Sequence, residues 1–357
     1  MASCFRLRAC SNICSRILRD VPKGNLFGKV ERMAIETRLT RRLGIRHPVV
    51  AAPMAFASGG VLAAAVASAG GLGFIGGGYG NAAWLDREFR AAGNAEVGCG
   101  FITWALRQQP ELLEQVLAHQ PKAVFLSFDD PEPFASQVLS AGVVLFCQVQ
   151  TLKDAERAID CGADVIVAQG AEAGGHGERR ATMTLVPEVA DLIVRKSPEV
   201  LLCAAGGIAD GRGLAAAIML GADGAVVGSR LWASLEALVH PNLHEVALAA
   251  NGDDTVRQSV TDVARGLEWP ERFDIRVVRN DYVTTWLGRE SELQGLGQIE
   301  RDRYAGAAAA GDTRVAAAIV GEATGLIHAI EPAGAIIERM VAEAEQCLKS
   351  GNDKIKS

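Results

Sequence analysis

Aromatic side chains are scarce: Phe, Trp and Tyr make up only 5% of the 357 residues. A core must therefore be built largely from aliphatic side chains, and the 39 glycines give many backbone positions unusual freedom. Apolar residues still reach 49% against 22% charged, a balance that buries a large core and excludes a disordered chain. Positive charge is in deficit, with a net charge of −6, which excludes a general nucleic-acid binder. None of the eight cysteines (Cys4, Cys10, Cys14, Cys99, Cys147, Cys161, Cys203, Cys347) forms a C-x-x-C pair. They read as small buried hydrophobes of a reducing compartment, not as a zinc site or disulfide framework. Residues 1–30 lack a continuous apolar segment, so no secretory signal is present. His47 to Leu85 contains no Asp, Glu, Lys or Arg, but nine glycines with Pro48 and Pro53 break it into short elements. A bilayer span needs about 20 strongly apolar residues, so a membrane reading is rejected. A P-loop, a Ser/His/Asp order and a metal motif are also lacking.

Charge is unevenly spread. Residues 1–33 hold seven basic side chains against Asp20 and Glu31, and no acid precedes Asp20. That composition suits a mitochondrial presequence. The alternative is an overlong start, with Met33 opening the folded chain. Residues 1–33 are read as an N-terminal extension, disordered or targeting. The expected location is cytoplasmic, or mitochondrial if the extension is genuine.

From Pro48 onward, short apolar runs alternate with helical stretches. Strands are expected at 48–53, 72–75, 96–102, 123–128, 143–149, 164–168, 200–205 and 225–227. Helices are expected at about 59–69, 81–92 and from about 211. Pro110 opens another, and Thr151 is placed to cap one. Eight strands with continuous apolar character argue for a parallel sheet buried on both faces, closed as a (β/α)8 TIM barrel over 34–235. An open doubly wound sheet is the alternative. Residues 236–348 break the pattern and predict a largely helical C-terminal appendage on the barrel, followed by a tail at 349–357.

Three glycine-rich segments stand out. Gly71-Leu72-Gly73-Phe74-Ile75-Gly76 matches G-x-G-x-x-G, but the strand lies inside the motif, which argues against a dinucleotide fingerprint. Ala205-Gly206-Gly207-Ile208 and Val227-Gly228-Ser229 follow the seventh and eighth strands, where barrels commonly hold phosphate on backbone N–H groups. Gln169-Gly170-Ala171-Glu172-Ala173-Gly174-Gly175-His176 leaves the sixth strand. Gln169 can donate and accept at a heteroaromatic edge, Gly174 lets backbone pass a planar ligand, and His176 can move a proton near neutral pH. Glu172 is read as a loop-ordering carboxylate, and His47, His240 and His244 as less promising.

Together with Ala52-Pro53-Met54 and Ala69-Gly70-Gly71-Leu72-Gly73, these segments resemble the nitronate monooxygenase (2-nitropropane dioxygenase-like) family over roughly 51–230. The resemblance implies an oxidoreductase with non-covalent FMN. It implies oxidation of alkyl nitronates, and in some members nitroalkanes, by O2 to a carbonyl compound and nitrite. It places Ala52, Pro53, Met54, Gln169, Gly174, Gly206, Gly207, Val227, Gly228 and Ser229 around FMN, with His176 as the catalytic base or nitronate-binding group and no metal. Trp104 and the 321–325 loop would lid the pocket. The partners expected are a small-molecule substrate and O2, with no nucleic acid or membrane, and a homo-oligomer is compatible. One departure is Gly98-Cys99-Gly100-Phe101, where many members carry Asn. An NAD(P)H-dependent enoyl-thioester reductase shares a Glu-Ala-Gly-Gly-His segment, but usually has Glu-Gly where this chain has Gln169-Gly170. A non-catalytic FMN binder is the remaining alternative.

Overall fold

The computed structural model describes residues 35–351. The barrel strands are β1 (Val49–Ala51), β2 (Phe74–Gly78), β3 (Gly98–Ile102), β4 (Ala123–Ser127), β5 (Val144–Val149) and β6 (Val165–Gln169). A short β7 (Gly175–Gly177) lies outside the barrel, and β8 (Leu201–Ala205) and β9 (Gly224–Val227) complete it. The order β1-β9-β8-β6-β5-β4-β3-β2 is parallel throughout. Closure between β1 and β2 depends on Leu72. Its N–H donates to Val49 O at 3.0 Å, and its carbonyl accepts from Ala51 N at 2.9 Å. This is the (β/α)8 barrel expected, and the helices expected at 59–69 and 81–92 fall at Gly60–Ser68 and Ala82–Ala92, after a short helix Arg38–Leu43. Thr151 caps its helix by accepting from Asp154 N at 3.1 Å.

The scarce aromatics are concentrated. Phe74, Phe125 and Phe146 fill the barrel interior with centroids 5.3–5.8 Å apart. Each contributes roughly 1.5–3 kcal/mol by burial. Strand period two then decides what lies above them. Inward Phe125 is followed by inward Ser127, Phe146 by Gln148, and Val167 by Gln169, so three polar side chains reach the C-terminal mouth. Outward residues of the same strands pack on the helices.

Two features depart from expectation. The segment after β9 carries an antiparallel hairpin, β10 (Thr255–Gln258) and β11 (Asp274–Val278). β11 pairs with β7 to make a three-stranded sheet over the mouth. Moreover, the final helix Ala333–Ser350 belongs to the barrel wall. It inserts Ile336, Ile337, Met340, Val341 and Ala344 into the main core and lies against helix Gly211–Met219. Glycine at 211 permits this approach, because a Cβ there would stand 2.4 Å from Ala344 N. The helix directly after β9 is only Ser229–Trp232, so Ala333–Ser350 takes the place of an eighth barrel helix.

Candidate active site

A cavity of about 400 Å³ opens at the C-terminal ends of the strands. Ala52, Pro53, Met54, Gln169, Gly174, His176, Gly206, Gly207, Gly228 and Ser229 all line it. Val227 does not: alternation turns its side chain outward into the helical layer, and its carbonyl accepts from Ala52 N at 3.0 Å. Trp104 does not line the cavity either. It stands behind Tyr79 and Trp269, at 6.0 and 5.4 Å between centroids. Of the expected lid loop, Gly321 and Ala323 reach the cavity.

The glycine turns after β8 and β9 both border the cavity. Gly206 and Gly207 have φ of +101° and +74°, a region that favours glycine. Their N–H groups donate to no backbone carbonyl among the described residues. At Gly228 an added Cβ would meet only Ala52 Cβ, at 3.7 Å, so its outer face is open. Ser229 Oγ accepts from Gly321 N at 2.8 Å and keeps its own proton for donation. The first glycine motif is packing: a Cβ at Gly73 would collide with Ala63 O, and one at Gly76 with Met54 O. Gly100 faces Pro53, whose Cβ would lie 2.4 Å from an added Cβ. That leaves no room for the Asn-type side chain.

The loop after β6 is held from several sides. The Glu172 carboxylate accepts from Thr182 N (3.0 Å) and Thr182 Oγ1 (2.8 Å), which is a loop-ordering role. Gly174 is needed for protein packing: its missing Cβ makes room for the backbone of Val320 and Gly321, 2.4–2.5 Å away. Arg257 of β10 donates to the carbonyls of Ala171, Ala173 and Gly175, and Arg276 of β11 adds another bond to Ala171 O. Burial, then the nearby Arg276 charge, lowers the Arg257 pKa to about 10. The Gln169 amide oxygen accepts from Gln148 (3.2 Å) and Gln150 (2.8 Å), while its nitrogen donates to His176 O at 3.1 Å. Gln169 thus anchors the histidine's backbone and has one amide proton left for a ligand.

His176 is 8% exposed. Its Nε2 lies 2.8 Å from Asp262 Oδ2, and Asp262 Oδ1 accepts from Arg265 Nη2 at 2.6 Å. Trp269 stacks on the imidazole at 3.3 Å between centroids and 9° between planes. Trp269 Nε1 donates to Tyr79 OH at 3.1 Å. Burial lowers the His176 pKa from its ordinary value, with Asp262 opposing, so the neutral ring dominates at pH 7. Phe56 and Phe128 also line the cavity and hold φ of +62° and +63°, strained for aromatic residues.

Asp262, Arg265 and Trp269 were not foreseen as site residues. They come from the 236–348 segment beyond the barrel strands, and the available signal was Trp269 between Glu268 and Pro270. His240 lines the cavity too, but its Nδ1 accepts from Asn242 N at 3.2 Å and caps helix Pro241–Ala249. His244 bonds Trp232 O at 3.0 Å and does not itself line the cavity. Among the described residues no helix is long and apolar enough to cross a membrane.

The nitronate monooxygenase family model matches residues 36–97 and 102–343. The chain is 35% identical over 349 residues to a nitronate monooxygenase of Neurospora crassa, covering 85% of this chain and 91% of that one. It is 34% identical to one of Metarhizium robertsii, covering 85% and 92%. Among solved structures, FabK from Thermotoga maritima matches with a TM-score of 0.77 at 29% identity, covering 90% and 100%. A nitroalkane oxidase of Streptomyces ansochromogenes shares the fold, with a TM-score of 0.71 at 23% identity, covering 88% and 99%. With the family model spanning both the barrel and the segment that closes its mouth, this chain belongs to the nitronate monooxygenase family.

Proposed function

We propose that this chain oxidises alkyl nitronates, and neutral nitroalkanes after proton abstraction, to a carbonyl compound and nitrite with O2, using FMN held in the cavity. The observation that carries the reading is a carboxylate-backed His176 in the same cavity as two glycine turns with unengaged N–H groups. The turns suit a phosphate. Gly206 and Gly207 offer N–H groups in a positive-φ turn, Gly228 has an open face, and Ser229 Oγ has a proton to give. Bound there, FMN supplies the electron acceptor and the route to O2.

The chain's own groups do the rest. Ala52, Pro53 and Met54 form one wall, and Gln169 offers its free amide proton. His176, neutral through burial, takes a proton from a nitroalkane or hydrogen-bonds a nitronate. Tyr79, Phe128 and Trp269 line the cavity around His176 and exclude water there.

The test is the visible spectrum of the purified protein, followed by anaerobic titration with ethyl nitronate and nitrite release on admitting O2. Flavin absorption, bleaching by the nitronate and nitrite formation are expected. A colourless protein that refuses FMN, or bound FMN with no response, overturns the reading. The Glu172-Ala173-Gly174-Gly175-His176 segment supports a second reading, enoyl-thioester reduction. Rapid flavin bleaching by anaerobic NADPH would favour it.

A further inference from the structure

Asp262 lies 86 residues beyond His176 in sequence, yet its 3%-exposed carboxylate meets the imidazole inside the cavity wall. A carboxylate only accepts, so His176 Nε2 carries the ring proton. Trp269 covers one ring face, and Phe128 meets the ring edge-on at 6.1 Å. The ring is therefore fixed in plane and in tautomer, and Nδ1 is left as its basic nitrogen. The charged and titratable groups around it are Asp262 and Arg265 from helix Val260–Arg265, Arg257 from β10, and Tyr79, which is tied to Trp269.

We propose that Asp262 is the positioning residue of this site: it holds the Nε2 proton so that Nδ1 receives the proton of a neutral nitroalkane. The inference rests on the function proposed above. The α C–H bond breaks, and its electron pair becomes the C=N bond of the nitronate as the nitro group takes the charge. The proton forms a bond to Nδ1, and the resulting imidazolium keeps its Nε2 proton on the Asp262 carboxylate. A preformed nitronate needs no such transfer, so the two substrate forms depend on Asp262 unequally.

Asp262→Asn is the test. Arg265 keeps hold of the remaining carbonyl oxygen, so the new amide turns its NH2 toward Nε2. Nε2 must then accept, and the proton moves to Nδ1. Nitroalkane turnover is expected to fall about 10²–10⁴-fold, and ethyl nitronate turnover by less than about tenfold. Asp262→Glu, which still only accepts, restores part of the nitroalkane rate. The readout independent of activity is the ¹⁵N spectrum of His176: Nε2–H in the wild type, Nδ1–H in Asp262→Asn. A wild-type Nδ1–H tautomer overturns the proposal without any variant. Equal losses on both substrates in a folded Asp262→Asn protein also overturn it. If the wild type turns over neither substrate, the functional reading fails, and the ¹⁵N spectra alone decide the role of Asp262.

Discussion

At the scale of the residue, the site is a problem in burial. His176 sits under Trp269 with a single polar partner, and burial costs the imidazolium more than Asp262 returns. Its folded pKa is below the ordinary 6.5, so an unfolded chain binds more protons in the window beneath that value. Stability from this group is full above 6.5 and declines as pH falls through the depressed value. Nitroalkane turnover follows the same limb, since the protonated ring cannot act as base. A pH profile of kcat/KM that instead rises toward acid would exclude His176 as the base. His176→Asn keeps fold and flavin but lowers nitroalkane turnover by about 10²–10⁴-fold. Unchanged steady-state kinetics would take His176 out of the mechanism.

At the scale of the element, turns and strand register place the chemistry. The turn after β9 offers a clean variant. An alanine at Gly228 has φ of −101° and meets only Ala52 Cβ. Gly228→Ala should therefore melt within about 1 kcal/mol of wild type. It should nevertheless raise the flavin dissociation constant at least about tenfold, or ~1.4 kcal/mol, because its Cβ takes space beside the turn proposed to hold the phosphate. Unaltered flavin affinity by fluorescence titration would move the phosphate elsewhere. Elements also mark what sequence could reveal. The barrel strands were legible because each is a short apolar run, and the glycine turns because they end such runs. The hairpin was harder. β11 alternates buried Ile275 and Val277 with Arg276, a strand signal present but overshadowed by its charged surroundings. β10 carries Arg257 in a half-buried position, which a pattern of apolar residues does not show. The Asp262–His176 contact lies between elements that periodicity reads separately, so no local pattern joins them.

At the scale of the whole molecule, chain order and spatial order diverge. Its position in sequence places the final helix in the segment beyond the barrel, yet Ile336, Ile337 and Met340 lie in the barrel's own core. The intervening stretch carries Asp262, Arg265 and Trp269 to the mouth, so the histidine's surroundings come from outside the repeating strand–helix pattern. The wall itself is uneven. Most neighbouring strands share several paired residues, whereas β1 and β2 meet through the two bonds of Leu72. A cylinder joined by one such stitch has a preferred line of breathing. In deuterated buffer the amides of Leu72 and Ala51 should exchange ahead of those of Val124 and Leu126, because fewer bonds must break to expose them. Equal protection would mean that the surrounding helices, and not the ladder, keep the cylinder shut. Since Ala52, Pro53 and Met54 continue directly from that stitch, loosening it would be felt first along one side of the binding chamber.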